Sequence, residues 1–573
     1  MINMILLSAQ PAETYFMWQL EIQIENFLSL GFAPEEIHIL LAKDPKTGVP
    51  SRVKDFISNN HSKASIFTYP DTRIKKNYVS SIRPNIIKQH FKKHPKLRNH
   101  NIFYHDSDIV FTDKLPDFKT LCSDDYWYFS DTRSYISSEY LIARGGVIAF
   151  EEMCKLMEIS PALVKANDTN AGGAQYLLKN VDYEFWDQVE ADSEKLYVFL
   201  EANKSRYANM YYSNNREETE YIPISSWCAD MWAVFWNGLK RTQIKIHSEL
   251  NFCWPHYDVS YWEKTNIFHN SGVGIENSET LFYKSRYHNQ EPYYTYLGNL
   301  DKSKCSIKYA DLISKFRINK IYNALDTTLI IPIRIDSEDR LRNLETIIKY
   351  VNKYFKIKII VLEADVTRKV PPNILAQNVR YIFIQDSDNL FHRQVYNNYM
   401  AKIADTPIIV KYDCDVVLPP TQLYNSIISI RHGKNKISYP YDGRFINIGG
   451  AIANFFHSNQ DILSFSEYVN ISYGSIVPSF GGCCVLDRVT YLQSGMDNKN
   501  FNGWGFEDQE LCKRFKILGF EISREKGPLY HLDHRRGTHS YFYSTEEMLN
   551  SYQEYVKVCN MLPSEIIHYI NTW

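Results

Sequence analysis

Apolar positions in the first part of the chain fall into short runs separated by amphipathic stretches, the alternation expected of a parallel α/β fold. Residues 4–8 are apolar, residues 14–30 place charged and apolar side chains at helical spacing, and residues 37–42 are apolar again. This predicts strand, helix, strand, the opening of a βαβ unit. Residues 65–69 predict a third strand and residues 82–91 a helix led by Arg83 and Pro84. Residues 101–104 predict a strand running into His105-Asp106-Ser107-Asp108. Acids that end a parallel strand stand at the carboxyl edge of the sheet, where open α/β sheets bind ligands.

The same order restarts near residue 326. Residues 328–333 are β-branched and predict a strand, residues 338–354 a helix, residues 357–362 a strand ending in Glu363, and residues 381–384 a strand followed by Gln385-Asp386-Ser387-Asp388. A helix over 392–404 leads to a strand over 407–410, then Asp413-Cys414-Asp415, then a helix from Pro419. Two domains are therefore expected, at 1–300 and 326–545, joined by a partly helical connection at 301–325 and followed by a helical extension at 546–573. The two halves share order rather than obvious sequence identity.

Composition narrows the class. At 573 residues the chain exceeds what one core usually organises. A net charge of −2 offers no basic field for nucleic acid, so an anionic ligand must be met by a local cluster. Ten scattered cysteines without a C-x-x-C pair fit a reducing compartment and argue against structural zinc. The first ten residues read as a strand rather than a secretory signal. No apolar run reaches the ~18 residues a spanning helix needs, and a soluble, cytoplasmic protein with at most peripheral membrane contact is expected.

In the second half, the carboxylates of Asp413 and Asp415 at a strand end can reach one hard divalent cation, Mg²⁺ or Mn²⁺. Further on stands Asn502-Gly503-Trp504-Gly505-Phe506-Glu507-Asp508. Glycine admits close backbone approach, Trp504 offers a stacking face for a sugar, and the acids offer a general base to an acceptor hydroxyl. An acidic helix N-terminus would look alike. In 528–536 a histidine could complete a metal site, and Arg535 or Arg536 could meet a diphosphate.

Together these motifs resemble the inverting GT-A glycosyltransferases, in particular the chondroitin-polymerase and β-1,4-galactosyltransferase branch. The resemblance covers most of 326–540 and rests on Pro332, Glu363, Asp388 with Arg393 and Asn397, the Asp413 and Asp415 pair, Gly481-Gly482-Cys483, the Trp504 to Asp508 motif and a late histidine. It implies that Pro332, Glu363, Asp388 and Arg393 serve the donor and that Asp413 and Asp415 hold ribose and metal, with His531 completing the metal site. Asp508 would be the catalytic base, with Glu507, Trp504 and Gly505 on the acceptor side.

In the first half, Asp106 and Asp108 repeat the strand-end pair. Asn170-Ala171-Gly172-Gly173-Ala174-Gln175 combines glycines with amides suited to sugar hydroxyls, though a turn before a helix reads the same. Asp230 lies between Trp227 and Trp232, in an acceptor wall or a buried helix. His269 is placed late, and Lys284 follows as a diphosphate contact, with Arg83 as a further donor contact. This half resembles, in scattered pieces over 1–290, the GT-A transferases of the hydroxyproline-arabinosyl and peptidyl-serine galactosyl type. The resemblance implies Asp106, Asp108 and His269 as metal ligands and Gln175 and Asp230 as sugar or acceptor contacts. It names no base, since retaining relatives need none.

The expectation is a bifunctional, metal-dependent glycosyltransferase with one Mn²⁺ or Mg²⁺ per domain, UDP-sugar donors and a saccharide or lipid-linked acceptor, working in surface-glycan synthesis. The alternative keeps only the second domain catalytic and makes the first an acceptor-binding module.

Overall fold

The computed structural model describes residues 3–214, 221–468, 478–501, 505–535 and 544–573. The chain forms two compact units, Met1–Tyr293 with Leu297–Phe316, and Tyr294–Tyr296 with Arg317–Trp573.

The first unit carries β1 (Met4–Pro11), β2 (Ile37–Lys43), β3 (Ser65–Pro70), β4 (Asn101–His105), β5 (Ile109–Phe111), β6 (Trp127–Asp131), β7 (Gly172–Leu178), β8 (Ile244–Ile246), β9 (Phe252–Cys253) and β10 (Ile267–His269). Seven strands form one sheet in the order β3-β2-β1-β4-β7-β6-β8, and β5-β10-β9 form a second. Strands β1 to β4 run parallel, β7 is antiparallel to both β4 and β6, and β8 is parallel to β6. Near-continuous apolar runs form these strands because both faces are covered. Met4, Leu6, Ile39, Leu41 and Phe103 enter one core with Leu20 and Ile24 of the helix Thr14–Ser29. Their neighbours Ile5, Leu7, Leu40, Ile102 and Tyr104 enter the other, with Ile86 of the helix Ile82–Lys93 and Trp232 of the helix Ala229–Leu239.

The second unit carries β11 (Tyr322–Ile333), β12 (Phe355–Asp365), β13 (Val379–Gln385), β14 (Ile408–Tyr412), β15 (Val416–Val417), β16 (Ile437–Tyr439), β17 (Phe445–Ile448), β18 (Cys483–Asp487), β19 (Ile522–Arg524) and β20 (Leu529–Leu532). Its sheets run β13-β12-β11-β14-β18-β16-β19 and β15-β20-β17. The seven-stranded sheet repeats that of the first unit strand for strand, including the antiparallel β18 beside β14 and the parallel β19 beside β16. The small sheet again has a middle strand antiparallel to one neighbour and parallel to the other, but its third strand, β17, lies between β16 and β18 in the chain where β9 follows β8. Both units are α/β folds with a mostly parallel, Rossmann-like sheet, and they follow one another along the chain.

One stretch departs from a sequence reading, and two take forms that the sequence reading allowed. Residues 172–178 are strand β7 rather than a turn leading into a helix, because Gln175 to Leu178 bury themselves beside β4. Residues 229–239 are a buried helix, with Trp232 and Trp236 in the core while Trp227 stays exposed. In the connecting stretch, the helix Ser306–Asn319 buries Tyr309, Ala310 and Ile313. The extension forms the helices Thr545–Cys559 and Pro563–Tyr569, and the Trp573 indole N–H donates to the Gly495 carbonyl at 2.9 Å. No helix among the described residues is long and apolar enough to cross a membrane.

Two buried polar networks make testable demands. Arg514 is fully buried, with Nε donating to Glu510 Oε1 at 2.7 Å and Nη2 to the Met496 carbonyl at 2.6 Å. Arg514→Ala leaves the Glu510 charge buried and should cost about 3–5 kcal/mol in denaturant melts, whereas the double variant with Glu510→Ala should cost less than the sum. In the first unit, His90 lies between the Tyr69 hydroxyl at 2.7 Å and His38 Nδ1 at 3.0 Å. Burial pushes His90 down to about 2 and His38 to about 4. Both rings fold neutral and take up protons on unfolding, so their contribution is complete above about pH 6.5 and is lost as pH falls toward 4. Thermal melts between pH 7 and 4 should show His90→Gln with a flatter stability curve than wild type.

Candidate functional site

In the second unit, β14 delivers Asp413 to the carboxyl edge of the sheet, and the Asp413 amide donates to the Gly482 carbonyl at 2.9 Å. Strand β20, antiparallel to β15, brings His531 opposite Val416. The ligand atoms of Asp415, His531 and His534 all lie within 4.8 Å of one another. His531 Nε2 is 3.7 Å and His534 Nε2 3.1 Å from the Asp415 carboxylate. His531 Nδ1 faces the Asn447 side-chain oxygen at 3.0 Å and His534 Nδ1 the Arg535 carbonyl at 2.9 Å. Those acceptors suit N–H at Nδ1 in both rings, which directs the Nε2 lone pairs toward Asp415.

Asp413 stands outside that group, in an ion pair with Arg393. The two acids of the motif titrate apart. Burial raises Asp413 to about 6 against the pull of Arg393. Burial acts upward on Asp415 too, but when the two rings carry a proton on Nε2 as well, the His534 hydrogen bond, His531 and Arg340 together hold it well below the usual carboxylate range.

The acids of the helix Glu507–Ile517 meet the same cluster. Arg393 Nη1 lies 3.9 Å from Glu507 and 3.8 Å from Asp508, and Lys411 Nζ is 3.7 Å from Asp508. Burial, then the charge of Asp508, raises Glu507 to about 8. Glu507 Oε2 is buried without a hydrogen-bond partner among the described residues. A cavity of about 590 Å³, within the usual range for ligand sites, is bordered by Pro332, Arg393, Asp413, Asp415, Glu507, Asp508 and His531, with Gly505 at its edge.

Other expected donor contacts lie elsewhere. Glu363 is fully buried and accepts from the Lys369 amide at 2.8 Å and from the Tyr381 hydroxyl, bracing a loop. Asp388 is half exposed and accepts from the Leu390 amide and from His392, each at 2.9 Å. Asn397 donates to Asp497 in the core at 3.0 Å. Trp504 and Arg536 lie outside the described residues. The sequence reading did not single out His534, Arg334, Arg340 or Lys411. His534 stands three residues after His531, and the basic residues gave no local signal because their partners come from other elements.

In the first unit, Asp106, Asp108 and His269 have ligand atoms within 4.8 Å of one another. His269 Nε2 is 3.6 Å from Asp106 and 3.4 Å from Asp108, and its ring stacks on Trp254 at 5.2 Å. Lys284 pairs with Asp108, while Arg83 pairs with Asp106 and, at 2.9 Å, with Asp230. Burial acts upward on Asp108, yet Lys284 and His269 hold it well below the usual carboxylate range. Gln175 is fully buried behind His269, its amide 3.4 Å from Nδ1 and 2.8 Å from the Ser130 hydroxyl. It orients the histidine rather than facing open space. Metal ligation through Nε2 calls for the amide oxygen on the Nδ1 proton, with the NH₂ turned to Ser130, whose hydroxyl also donates to the Leu250 carbonyl at 2.8 Å.

Both donor sets, carboxylate with imidazole, suit Mn²⁺ or a similar divalent cation by ligand type.

A family model described as the N-terminal domain of galactosyltransferase matches residues 466–535. Among solved structures, the catalytic domain of Drosophila β1,4-galactosyltransferase 7 in complex with xylobiose is 16% identical, covers 43% of this chain and 84% of its own, and has a TM-score of 0.26. A mutant of that Drosophila enzyme in complex with manganese, UDP-Gal and xylobiose is 16% identical, covers 39% and 79%, and scores 0.25. The mannosyltransferase PcManGT from Pyrobaculum calidifontis in complex with GDP-Man and Mn²⁺ is 13% identical, covers 43% and 70%, and scores 0.28. Scores this low add nothing to the topology given above. No curated protein matches the sequence. The matched segment contains the helix acids and late histidines just described, and over those residues the chain is similar to galactosyltransferase.

Proposed function

We propose that both units are catalytic and that the chain is a bifunctional glycosyltransferase, each unit moving a sugar from a nucleotide-sugar donor, a UDP-sugar in our reading, to a saccharide acceptor in glycan or surface-polysaccharide synthesis. The observation that carries this reading is the repetition of one site on one topology: a strand-end acid pair, a histidine from the middle strand of the small sheet, and an arginine on the first acid.

In the second unit, Asp415, His531 and His534 would hold a divalent cation, with Asp413 beside it. When bound, the cation neutralises charge on the departing diphosphate. Arg393 and Arg340 add fixed positive charge on the same side. Asp508 takes the proton of the attacking acceptor hydroxyl, and the unpartnered Glu507 Oε2 binds a neighbouring hydroxyl of the acceptor. Attack from the face opposite the diphosphate inverts the anomeric carbon. Mn²⁺ together with UDP-Gal and xylobiose in one structural neighbour is consistent with this substrate class.

The test is donor turnover with Mn²⁺ over a panel of nucleotide sugars. Asp106→Ala with Asp108→Ala, and Asp413→Ala with Asp415→Ala, should each lose about 10²-fold or more of a different donor activity. If the first double variant loses nothing, the first unit is not a transferase. His534→Ala should weaken Mn²⁺ binding about 10–100-fold by calorimetry; unchanged affinity would remove His534 from the metal site.

A further inference from the structure

The two units align residue by residue around one position that the first unit's sequence leaves without a catalytic role. Tyr104, two residues before Asp106, faces Tyr176 across the β4 to β7 ladder, and Lys411, two before Asp413, faces Cys484 across the β14 to β18 ladder. By that register Gly173 corresponds to Gly481 and Ala174 to Gly482. The backbone agrees. Ala174 is one of few non-glycine residues with positive φ, at 66°, and Gly482 has φ 87°.

Beyond these strands the correspondence reaches the acid-bearing helix. In the first unit the helix Ala229–Leu239 precedes β8, which lies parallel to β6; in the second the helix Glu507–Ile517 precedes β19, which lies parallel to β16. Asp230 is the second residue of the one helix and Asp508 the second residue of the other. The corresponding glycines back both helix starts. A Cβ on Gly481 would lie 3.1 Å from Asp508 Oδ2, and a Cβ on Gly173 would lie 2.4 Å from the Cε of Met231, the residue after Asp230.

The electrostatic partner is shared as well. Arg83, in the first turn of the helix before β4, joins Asp106 to Asp230. Arg393, at the start of the helix before β14, lies between Asp413 and Asp508. The Tyr78 hydroxyl adds a hydrogen bond to Asp230 Oδ1 at 2.6 Å, which fixes the carboxylate's orientation. Ala229 stands where the second unit has Glu507, so the first unit has one acid at this point where the second has two.

We infer that Asp230 is the catalytic base of the first unit and that the first unit therefore transfers with inversion. This inference rests on the first unit being a transferase. An acceptor hydroxyl oxygen bonds to the anomeric carbon, its proton passes to the Asp230 carboxylate, and the bond from the anomeric carbon to the phosphate oxygen breaks with its electron pair on the nucleoside diphosphate. Arg83, drawn by the diphosphate, releases Asp230 Oδ2 for that proton.

The experiment uses the full chain carrying Asp413→Asn and Asp415→Asn, so that remaining turnover belongs to the first unit. A panel of UDP- and GDP-sugars with Mn²⁺ is offered with water as acceptor, and the anomer first released is read by proton NMR before mutarotation. The expected product has the configuration opposite to the donor. Adding Asp230→Asn should lower kcat about 10²-fold or more while UDP affinity in Mn²⁺ by calorimetry is kept, and Asp230→Glu should recover part of the rate. A released anomer matching the donor overturns the inference without needing a folded Asp230 variant. So does a near-normal kcat in Asp230→Asn, or a loss of UDP affinity that accounts for the whole rate loss. No turnover with any donor overturns the transferase reading of the first unit and this inference with it, an outcome distinct from turnover that retains configuration or ignores Asp230.

Discussion

Carboxylates crowd the carboxyl edge of each large sheet, and the arginine among them is the constraint on which the site depends. Acids this close would repel one another and take up protons if no cation stood between them. Arg393 meets Asp413, Glu507 and Asp508 at once, and Arg83 meets Asp106 and Asp230. Each arginine comes from the start of the helix that feeds the strand carrying the acid pair, so helix, strand and motif must be placed together. Burial raises Asp413 to about 6 and Glu507 to about 8 against the pull of Arg393, while Asp415, with Arg340 and the histidines beside it, and Asp108, with Lys284 and His269, are held below the usual carboxylate range.

The units share a topology and solve details differently. His531 is oriented by Asn447 from β17, whereas His269 is oriented by Gln175 from β7. The second acid of the motif meets His534 in one unit and Lys284 in the other. Lys411 and Asp497 form a buried pair at 2.8 Å beneath Asp508, where the first unit has Tyr104 and Tyr176 stacked at 5.5 Å. Such differences lie in side chains around the acids and leave the order of the large sheet undisturbed.

Most of the strands and helices, and the sheet edge at which the acid pairs stand, can be read from the chain's apolar pattern. Alternating apolar runs and amphipathic stretches marked β1 to β4 and β12 to β14 to within a few residues, while β11 begins six residues earlier than its apolar run, since burial on both sheet faces writes a continuous apolar signal only into the buried part of each strand. The D-x-D acids and the Glu507 and Asp508 pair stood out by their place at a strand end or a helix start, whereas His269 and His531 were named from the resemblance to known motifs. Tertiary structure alone decided the rest. Glu363 and Gln175 are turned inward by neighbours distant in sequence, His534 joins the cluster only when β20 pairs with β15, and Asp230 gains a counterpart in Asp508 only through sheet register. Which cation meets which acid is a long-range pairing across strands and helices, and one-dimensional spacing carries no record of it.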